Sequence, residues 1–467
     1  MPLPERARLA LATTGKNAIP LTLLERKELH LWMTVQTPWL QNWLRTTGFT
    51  AEAGQVALVP DDDGEIGGVV VGYDGDEPDM WALAGLPYVL PAGAYELTNK
   101  FKAAVLEQLT LGWALGAYKF SRFLAAKGRV PAQLVLGKGQ EQAVLMAESI
   151  TMVRDLINTP ANHLGPQELA DAIVTVAKKH KAKVKVLKGE ELLEENYPAV
   201  YEVGKGSARD PMLVDFTWGD AKAPKLTLVG KGVVFDTGGL DIKPSVGMLT
   251  MKKDMGGAAH VLALAHLIMS NKLKVRLRVL VPIVENSVSG RAFRPSDIIN
   301  TRSGKTVEVG NTDAEGRLIL CDALYEAATE KPDWLIDFAT LTGAGWAAVG
   351  PQMGVFFSND DKLAARITEG SSAESDPLWR LPLWQPYAKS IKGKISDLNN
   401  NSSLGSAGAI TAALYLEQFL PKGQSWAHFD VRAWNESARP GRPDGGEAFG
   451  LRACYAAIES KFGKAKR

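Results

Sequence analysis

The sequence predicts an α/β protein. A smaller N-terminal α/β domain, residues 1–148, precedes a larger domain, 149–467, with a central, mainly parallel sheet flanked by helices. Three observations carry this expectation. From about residue 166 to 339, helix-like and strand-like runs alternate, the pattern that builds a parallel sheet with helices on both faces. The first 148 residues hold shorter runs separated by turn signals. The composition, 46% apolar and 22% charged over 467 residues, is that of a globular chain able to bury a large core.

In chain order, residues 55–59 and 66–72 are short β-branched runs. They flank the acidic turn Asp61-Asp62-Asp63-Gly64 and read as a hairpin. Residues 106–127 carry aromatic and leucine positions at helical spacing, and 132–136 reads as a strand. The larger domain begins with a connecting helix over 140–157. It stops at Asn158-Thr159-Pro160, because proline cannot continue it. Pro166 opens a helix over 167–180, and 183–187 alternates as a strand. A strand over 225–229, a helix over 257–270 and a strand over 275–284 follow. A helix over 318–328 and a strand over Trp334–Ala339 complete the alternation. The uncharged stretch 338–357 has the length of a membrane span. Gly343, Gly345, Gly350, Pro351 and Gly354 break its apolarity, so it reads as a buried strand and loop.

Several function classes are disfavoured. Lys+Arg 53 against Asp+Glu 52 leaves a net charge of +1, which argues against a general nucleic-acid or polybasic membrane binder. Two cysteines, Cys321 and Cys454, make neither a disulfide framework nor a Cys-rich zinc site; they read as buried reduced thiols and suit a cytoplasmic location. The first residues, MPLPERARLALATTG, lack the apolar core of a secretory signal. His260 and His266 share one helix but not the four-residue spacing of a metalloprotease pair. Ser303-Gly304-Lys305-Thr306 resembles the end of a phosphate-binding loop, yet Ile299 stands where its first glycine belongs. Gly343-x-Gly345-x-x-Ala348 is a weak dinucleotide match, since its helix would have to run through Gly350-Pro351.

Two segments carry chemistry. The first runs from Val229-Gly230-Lys231 through Asp236-Thr237-Gly238-Gly239 and Lys243-Pro244 to Met251-Lys252-Lys253-Asp254-Met255-Gly256-Gly257. The second is Asn311-Thr312-Asp313-Ala314-Glu315-Gly316-Arg317-Leu318. Both put charges where a strand ends and a helix begins, the edge at which α/β sheets bind ligands. Each also has a plain structural reading. Thr312-x-x-Glu315 is a capping box, Asp254 a helix cap, Lys243 and Arg317 surface charges, and Asp236 the support of a glycine turn. Those readings leave the collection unexplained. If the segments converge, Asp236, Asp254, Asp313 and Glu315 place four negative charges in one site. Carboxylates that close cannot all stay ionised without cations. Two divalent metals supply the balance, and oxygen donors leave their identity open. A lysine joins such a site only as the neutral amine, its usual pKa of about 10.4 depressed by the metal.

These residues resemble the leucyl (cytosol) aminopeptidase family of di-metal exopeptidases. Asn311 to Leu318, NTDAEGRL, reads as that family's signature. The 231–257 stretch, Asn158-Thr159-Pro160-Ala161-Asn162, Ala339-Thr340-Leu341-Thr342-Gly343-Ala344, residues 407–416 and Trp426-Ala427-His428 extend the likeness over about 150–430. The first 148 residues agree only in size and position.

The resemblance implies a catalytic domain over 149–467 and a role for each matching residue. Lys231, Asp236, Asp254 and Glu315 would hold the tighter metal. Asp236, Asp313 and Glu315 would hold the more exchangeable one. Zn²⁺ or Mn²⁺ is expected, with Co²⁺ or Mg²⁺ as alternatives. Lys243 would polarise the scissile carbonyl, and Arg317 would hold a bicarbonate ion serving as general base. Thr340, Leu341 and Gly343 would line the substrate cleft, and Met251 the pocket for the N-terminal side chain. The expected partners are peptides with a free N-terminus, leucine-like apolar residues first, and other copies of the chain in a cytoplasmic homohexamer. Neither membrane nor nucleic acid is expected. Three departures from the family pattern stand out, the first two in the region that shapes the specificity pocket. Phe429-Asp430-Val431-Arg432-Ala433-Trp434 replaces the family's usual Leu-Asp-Ile-Ala-Gly stretch, and residues 439–447 also differ. Lys253 stands where an aromatic is common. The rival readings are a two-metal phosphoesterase, disfavoured by the lysine ligand and the signature, and an architectural DNA-binding role, disfavoured by the near-zero charge.

Overall fold

The computed structural model describes residues 6–124 and 129–463. The chain divides into two compact units. One contains Met152–Glu436 and the described residues from Gly445 onward; the other contains the described residues up to Thr151 and the short return Ser437–Asp444. The boundary falls inside the helix Glu141–Asn158.

The smaller unit is built on a six-stranded sheet. Its spatial order is Leu11–Ala12, Gln133–Val135, Ala94–Leu97, Ile19–Glu25, Ile66–Tyr73, Val56–Pro60. The last two strands form the antiparallel hairpin read from the sequence, and the other pairs are parallel. The acidic turn stays in solvent and orders itself: Asp61 Oδ1 accepts from the backbone N–H of Asp63 at 3.0 Å and of Glu65 at 2.9 Å. The helix expected over 106–127 instead spans Ala103–Gly116. Beyond it, Tyr118 remains buried and Lys119 lies over the Tyr88 ring at 3.4 Å. Aromatic residues thus continue the apolar spacing without continuing the helix. Residues 125–127 of that expected helix lie outside the described residues.

The larger unit holds a nine-stranded sheet. Its order is Leu378–Arg380, Gly354–Ser358, Trp426–Asp430, Trp334–Ala339, Lys225–Gly230, Arg276–Asn286, Met212–Trp218, Lys183–Lys188. The ninth strand, Gly232–Asp236, pairs with the far end of Arg276–Asn286. Pairing is parallel through the centre and antiparallel where Lys183–Lys188, Met212–Trp218 and Gly354–Ser358 join. The fold is therefore α/β with a mainly parallel sheet, as the alternation predicts. Side chains alternate across it. Leu335 and Ala339 enter the core formed with Glu315–Thr329 and Gly408–Glu417. Phe338 points the other way and stacks on His260 of the helix Gly256–Ser270 at 5.3 Å.

The stretch 338–357 corrects one expectation. Between the strands Trp334–Ala339 and Gly354–Ser358 it forms a helix, Gly343–Val349, where a loop was expected. Thr342 caps its start by accepting from Gly345 N at 3.4 Å, and Gly350, at φ +81°, ends it. The helix stops one residue before Gly350-Pro351, so it never has to pass through them. Among the described residues no helix is long and apolar enough to cross a membrane. Cys321 and Cys454 are buried free thiols.

Candidate metal centre and substrate cleft

The site lies where the central parallel strands end. The strand Lys225–Gly230 stops at Lys231, whose N–H donates to Phe338 O at 3.0 Å and whose carbonyl accepts from Ala258 N at 2.8 Å. This tie joins two strand ends to the start of the helix Gly256–Ser270. Asp236 ends the next strand, and the chain then turns through Gly238 and Gly239 at φ +88° and +65°. Both are left-handed conformations that glycine adopts at little cost.

Neither capping reading holds. Ala314, not Thr312, precedes the helix Glu315–Thr329, with no side-chain cap. Thr312 Oγ1 donates to Gly238 O at 2.6 Å and accepts from Asp241 N at 2.8 Å, locking the two motif loops together. Asp254 does not cap the helix that begins after Met255; its Oδ1 accepts from Thr340 Oγ1 at 2.7 Å. The carboxylates of Glu315 and Asp254 turn instead to Lys231.

The two segments converge. Lys231 Nζ lies 2.8 Å from Asp254 Oδ2 and 2.8 Å from Glu315 Oε1, at ion-pair distance though not aligned for hydrogen bonds. Lys243 Nζ pairs with Asp236 Oδ2 at 2.7 Å and with Asp313 Oδ1. Oxygens of Asp236, Asp313 and Glu315 lie within 4.8 Å of one another. Gly316 makes room for this packing, since a Cβ there would stand 2.4 Å from Lys231 Cε. Neither Lys243 nor Arg317 is the plain surface charge of the structural reading: Lys243 is largely buried, and Arg317 is buried outright.

Crowding shows in the proton affinities. Burial, then Asp236 and Asp254 working against Lys231, push Glu315 up to about 8. Burial and Asp236 push Asp313 up to about 6. Burial also raises Asp254, against the pull of Lys231. Burial opposes the charge on Lys231, but Asp254, Glu315 and Asp236 outweigh it and hold the amine above its ordinary range. Lys243 is raised in the same way, chiefly by Asp236. The pocket favours positive charge.

Arg317 is placed differently. Its Nη1 donates to Asn400 O at 2.7 Å, its Nε has no protein acceptor, and no carboxylate of the described residues reaches ion-pair distance. Met251 opens the short helical turn Met251–Lys253. Leu341 N and Thr342 N donate to Asp430 Oδ1 at 2.9 and 3.1 Å, and Gly343 starts the helix Gly343–Val349.

Sequence reasoning missed the residues that hold the carboxylate cluster and its loops in place. Asn286, fully buried, donates to Asp236 Oδ1 at 2.8 Å and to Thr312 O at 3.1 Å. Asp241 Oδ2 accepts from Thr312 N at 2.7 Å. Asn400 clamps the signature loop, accepting from Gly310 N at 2.8 Å and donating to Asn311 O at 2.8 Å. Asp241 lies inside the glycine-rich motif and was open to notice; Asn286 and Asn400 carry no sequence signal.

Residues 151–455 match the catalytic domain of the cytosol aminopeptidase family, and residues 19–137 match the M17 aminopeptidase N-terminal domain. The chain belongs to the cytosol aminopeptidase family. A probable cytosol aminopeptidase of Chlorobium luteolum is 40% identical over 75% of this chain and 75% of its own length. Peptidase B of Pectobacterium carotovorum is 44% identical over 65% and 72%. The crystal structure of the Coxiella burnetii cytosol aminopeptidase superposes with a TM-score of 0.92 at 46% identity, covering 96% of this chain and 98% of that one. The bottromycin maturation enzyme BotP, solved in complex with Mn, superposes with a TM-score of 0.84 at 30% identity, covering 96% and 100%. This member of the cytosol aminopeptidase family is accordingly a metal-dependent peptide hydrolase that acts as an exopeptidase, and the phosphoesterase alternative falls. The donor set fits a metal: Asp254 Oδ2, Asp313 Oδ1 and Glu315 Oε1 are buried with only a lysine ammonium at ion-pair distance, and Glu315 Oε2 is buried without a hydrogen-bond partner.

Proposed function

We propose that this chain removes N-terminal residues from peptides with two divalent ions held by Lys231, Asp236, Asp254, Asp313 and Glu315. Asp236 and Glu315 would contribute to the hold on both ions. The observation that carries the reading is the convergence of four carboxylates and two lysines at the ends of the parallel strands. When bound, two such ions act as Lewis acids that lower the pKa of a shared water and polarise the scissile carbonyl. Mn²⁺ or Zn²⁺ suits the oxygen-rich set, and the Mn in the BotP structure supports manganese.

The remaining steps belong to side chains. Lys243 directs its ammonium at the oxygen that gains charge as the carbonyl becomes tetrahedral, a preorganised contact that strengthens in the transition state. Arg317, a buried cation with no carboxylate of the described residues at ion-pair distance, offers a place for bicarbonate as general base. Thr340, Leu341 and Gly343 line the cleft, and Met251 faces the N-terminal side chain. Asp430 positions Leu341 by accepting from its backbone N–H and from that of Thr342, and Asp254 accepts from the Thr340 hydroxyl. In this reading residues 1–148 form the N-terminal domain and 149–467 the catalytic one. The proposed assembly is a homohexamer, and the proposed cytoplasmic location is in keeping with relatives named cytosol aminopeptidases.

The test compares leucyl-anilide with N-acetyl-leucyl-anilide on the manganese-loaded enzyme. Hydrolysis of the first and resistance of the second is expected, since acetylation removes the free amine that marks a peptide's end. Equal rates on both would overturn the exopeptidase mechanism.

A further inference from the structure

Two departures from the family pattern, Lys253 and Arg432, lie far apart in sequence and meet in space. Lys253 Nζ donates to Arg432 O at 3.0 Å. The Arg432 guanidinium lies over the Trp346 ring, 3.9 Å from its centroid, and pairs with Glu436 at its outer side.

Each contact leads to a cleft residue. Lys253 closes the turn that Met251 opens. Trp346 stands on the helix that Gly343 starts. Ala433, next to Arg432, packs with Thr340 around Gly256, where a Cβ would meet them at 2.5 and 3.0 Å. The two cations therefore stand at the wall that carries Met251, Thr340 and Gly343.

This wall has more donors than acceptors. Arg432 Nε and Trp346 Nε1 are buried without a protein acceptor. Lys253 has no carboxylate of the described residues at ion-pair distance. The three acids nearby are committed: Glu436 to Arg432, Asp430 to Leu341 N, Thr342 N and the Thr342 hydroxyl, and Asp254 to Lys231 and the Thr340 hydroxyl. An apolar side chain against this wall would desolvate cations and compensate neither, whereas a carboxylate would satisfy both the charge and the orphan donors.

Resting on the aminopeptidase reading above, we propose that Lys253 and Arg432 are specificity-determining residues that select peptides with an acidic N-terminal residue, glutamate ahead of leucine. The methylene stem of the substrate side chain packs toward Met251, and its carboxylate meets the Lys253–Arg432 pair.

The experiment measures kcat/KM of the manganese-loaded enzyme on glutamyl-, glutaminyl- and leucyl-anilide. Glutamine keeps the shape of glutamate without its charge. Glutamyl-anilide is expected to exceed both others by about tenfold or more. Arg432→Met and Lys253→Met should each bring the Glu:Gln ratio toward one, and Arg432→Lys should restore part of it, which a merely structural role would not do. A wild-type Glu:Gln ratio near one, with leucine fastest, would overturn the proposal while leaving the aminopeptidase reading intact. Failure to cleave any of the three would overturn that reading and this proposal together.

Discussion

Each lysine of the site pairs with two carboxylates, and the proposed tasks differ. Lys231 sits between Asp254 and Glu315, the residues assigned to the tighter ion, whereas Lys243 reaches across from the glycine loop to Asp236 and Asp313. Lys231→Ala should lower metal content, and excess metal should restore part of the activity. Lys243→Ala should retain metal and lose about 10²–10³ in kcat, the usual cost of one oxyanion donor. Metal content by mass spectrometry beside steady-state kinetics separates the two; the opposite pattern would exchange their roles. The charged residues were legible because four acids and two lysines among glycines have few structural uses. The helix-cap explanations of Thr312 and Asp254 were the plausible competitors, and both fail for one reason: these side chains are spent on neighbouring loops instead of their own helices. Asn286 and Asn400 were illegible because a neutral amide reveals its purpose only through its partners.

At the level of elements, periodicity located the strands Lys225–Gly230, Arg276–Asn286 and Trp334–Ala339 and the helices Gly256–Ser270 and Glu315–Thr329 to within a few residues, since each has one face or both faces buried; it gave no strand for Met212–Trp218 or Trp426–Asp430. It overran at the helix Ala103–Gly116, where aromatics beyond the last turn keep the apolar spacing, and it missed Gly343–Val349, a short helix rich in glycine and alanine. It also gave no hint of how His266 is used. That residue, on the helix Gly256–Ser270, lies 3.0 Å from His180 at the end of Pro166–Lys179. Burial, then His180 and Lys179, push His266 down to about 4. A histidine with a depressed native pKa contributes stability above its unfolded value of about 6.5, and that contribution is lost as pH falls toward 4. His266→Gln should therefore flatten the fall in unfolding free energy between pH 7 and 4.5, by roughly 1–3 kcal/mol. Urea titrations of both proteins at the two pH values measure it, and parallel falls would show that the pair carries no such linkage.

For the whole molecule, strand–helix alternation was enough to place the site, because a parallel sheet gathers its strand ends on one edge and the two motifs both fall there. What alternation could not show was that the Ser437–Asp444 return clusters with the smaller unit, because such a contact follows from the folded arrangement and not from local pattern. The carboxylate cluster is expected to work only with divalent metal. The most direct test is the hydrolysis rate of a free-amine aminoacyl-anilide, chosen from the substrates above, by one preparation stripped of metal and then titrated with Mn²⁺. No measurable turnover is expected in the stripped protein, with recovery that saturates as Mn²⁺ fills the site. Full turnover in demonstrably metal-free protein would contradict this expectation.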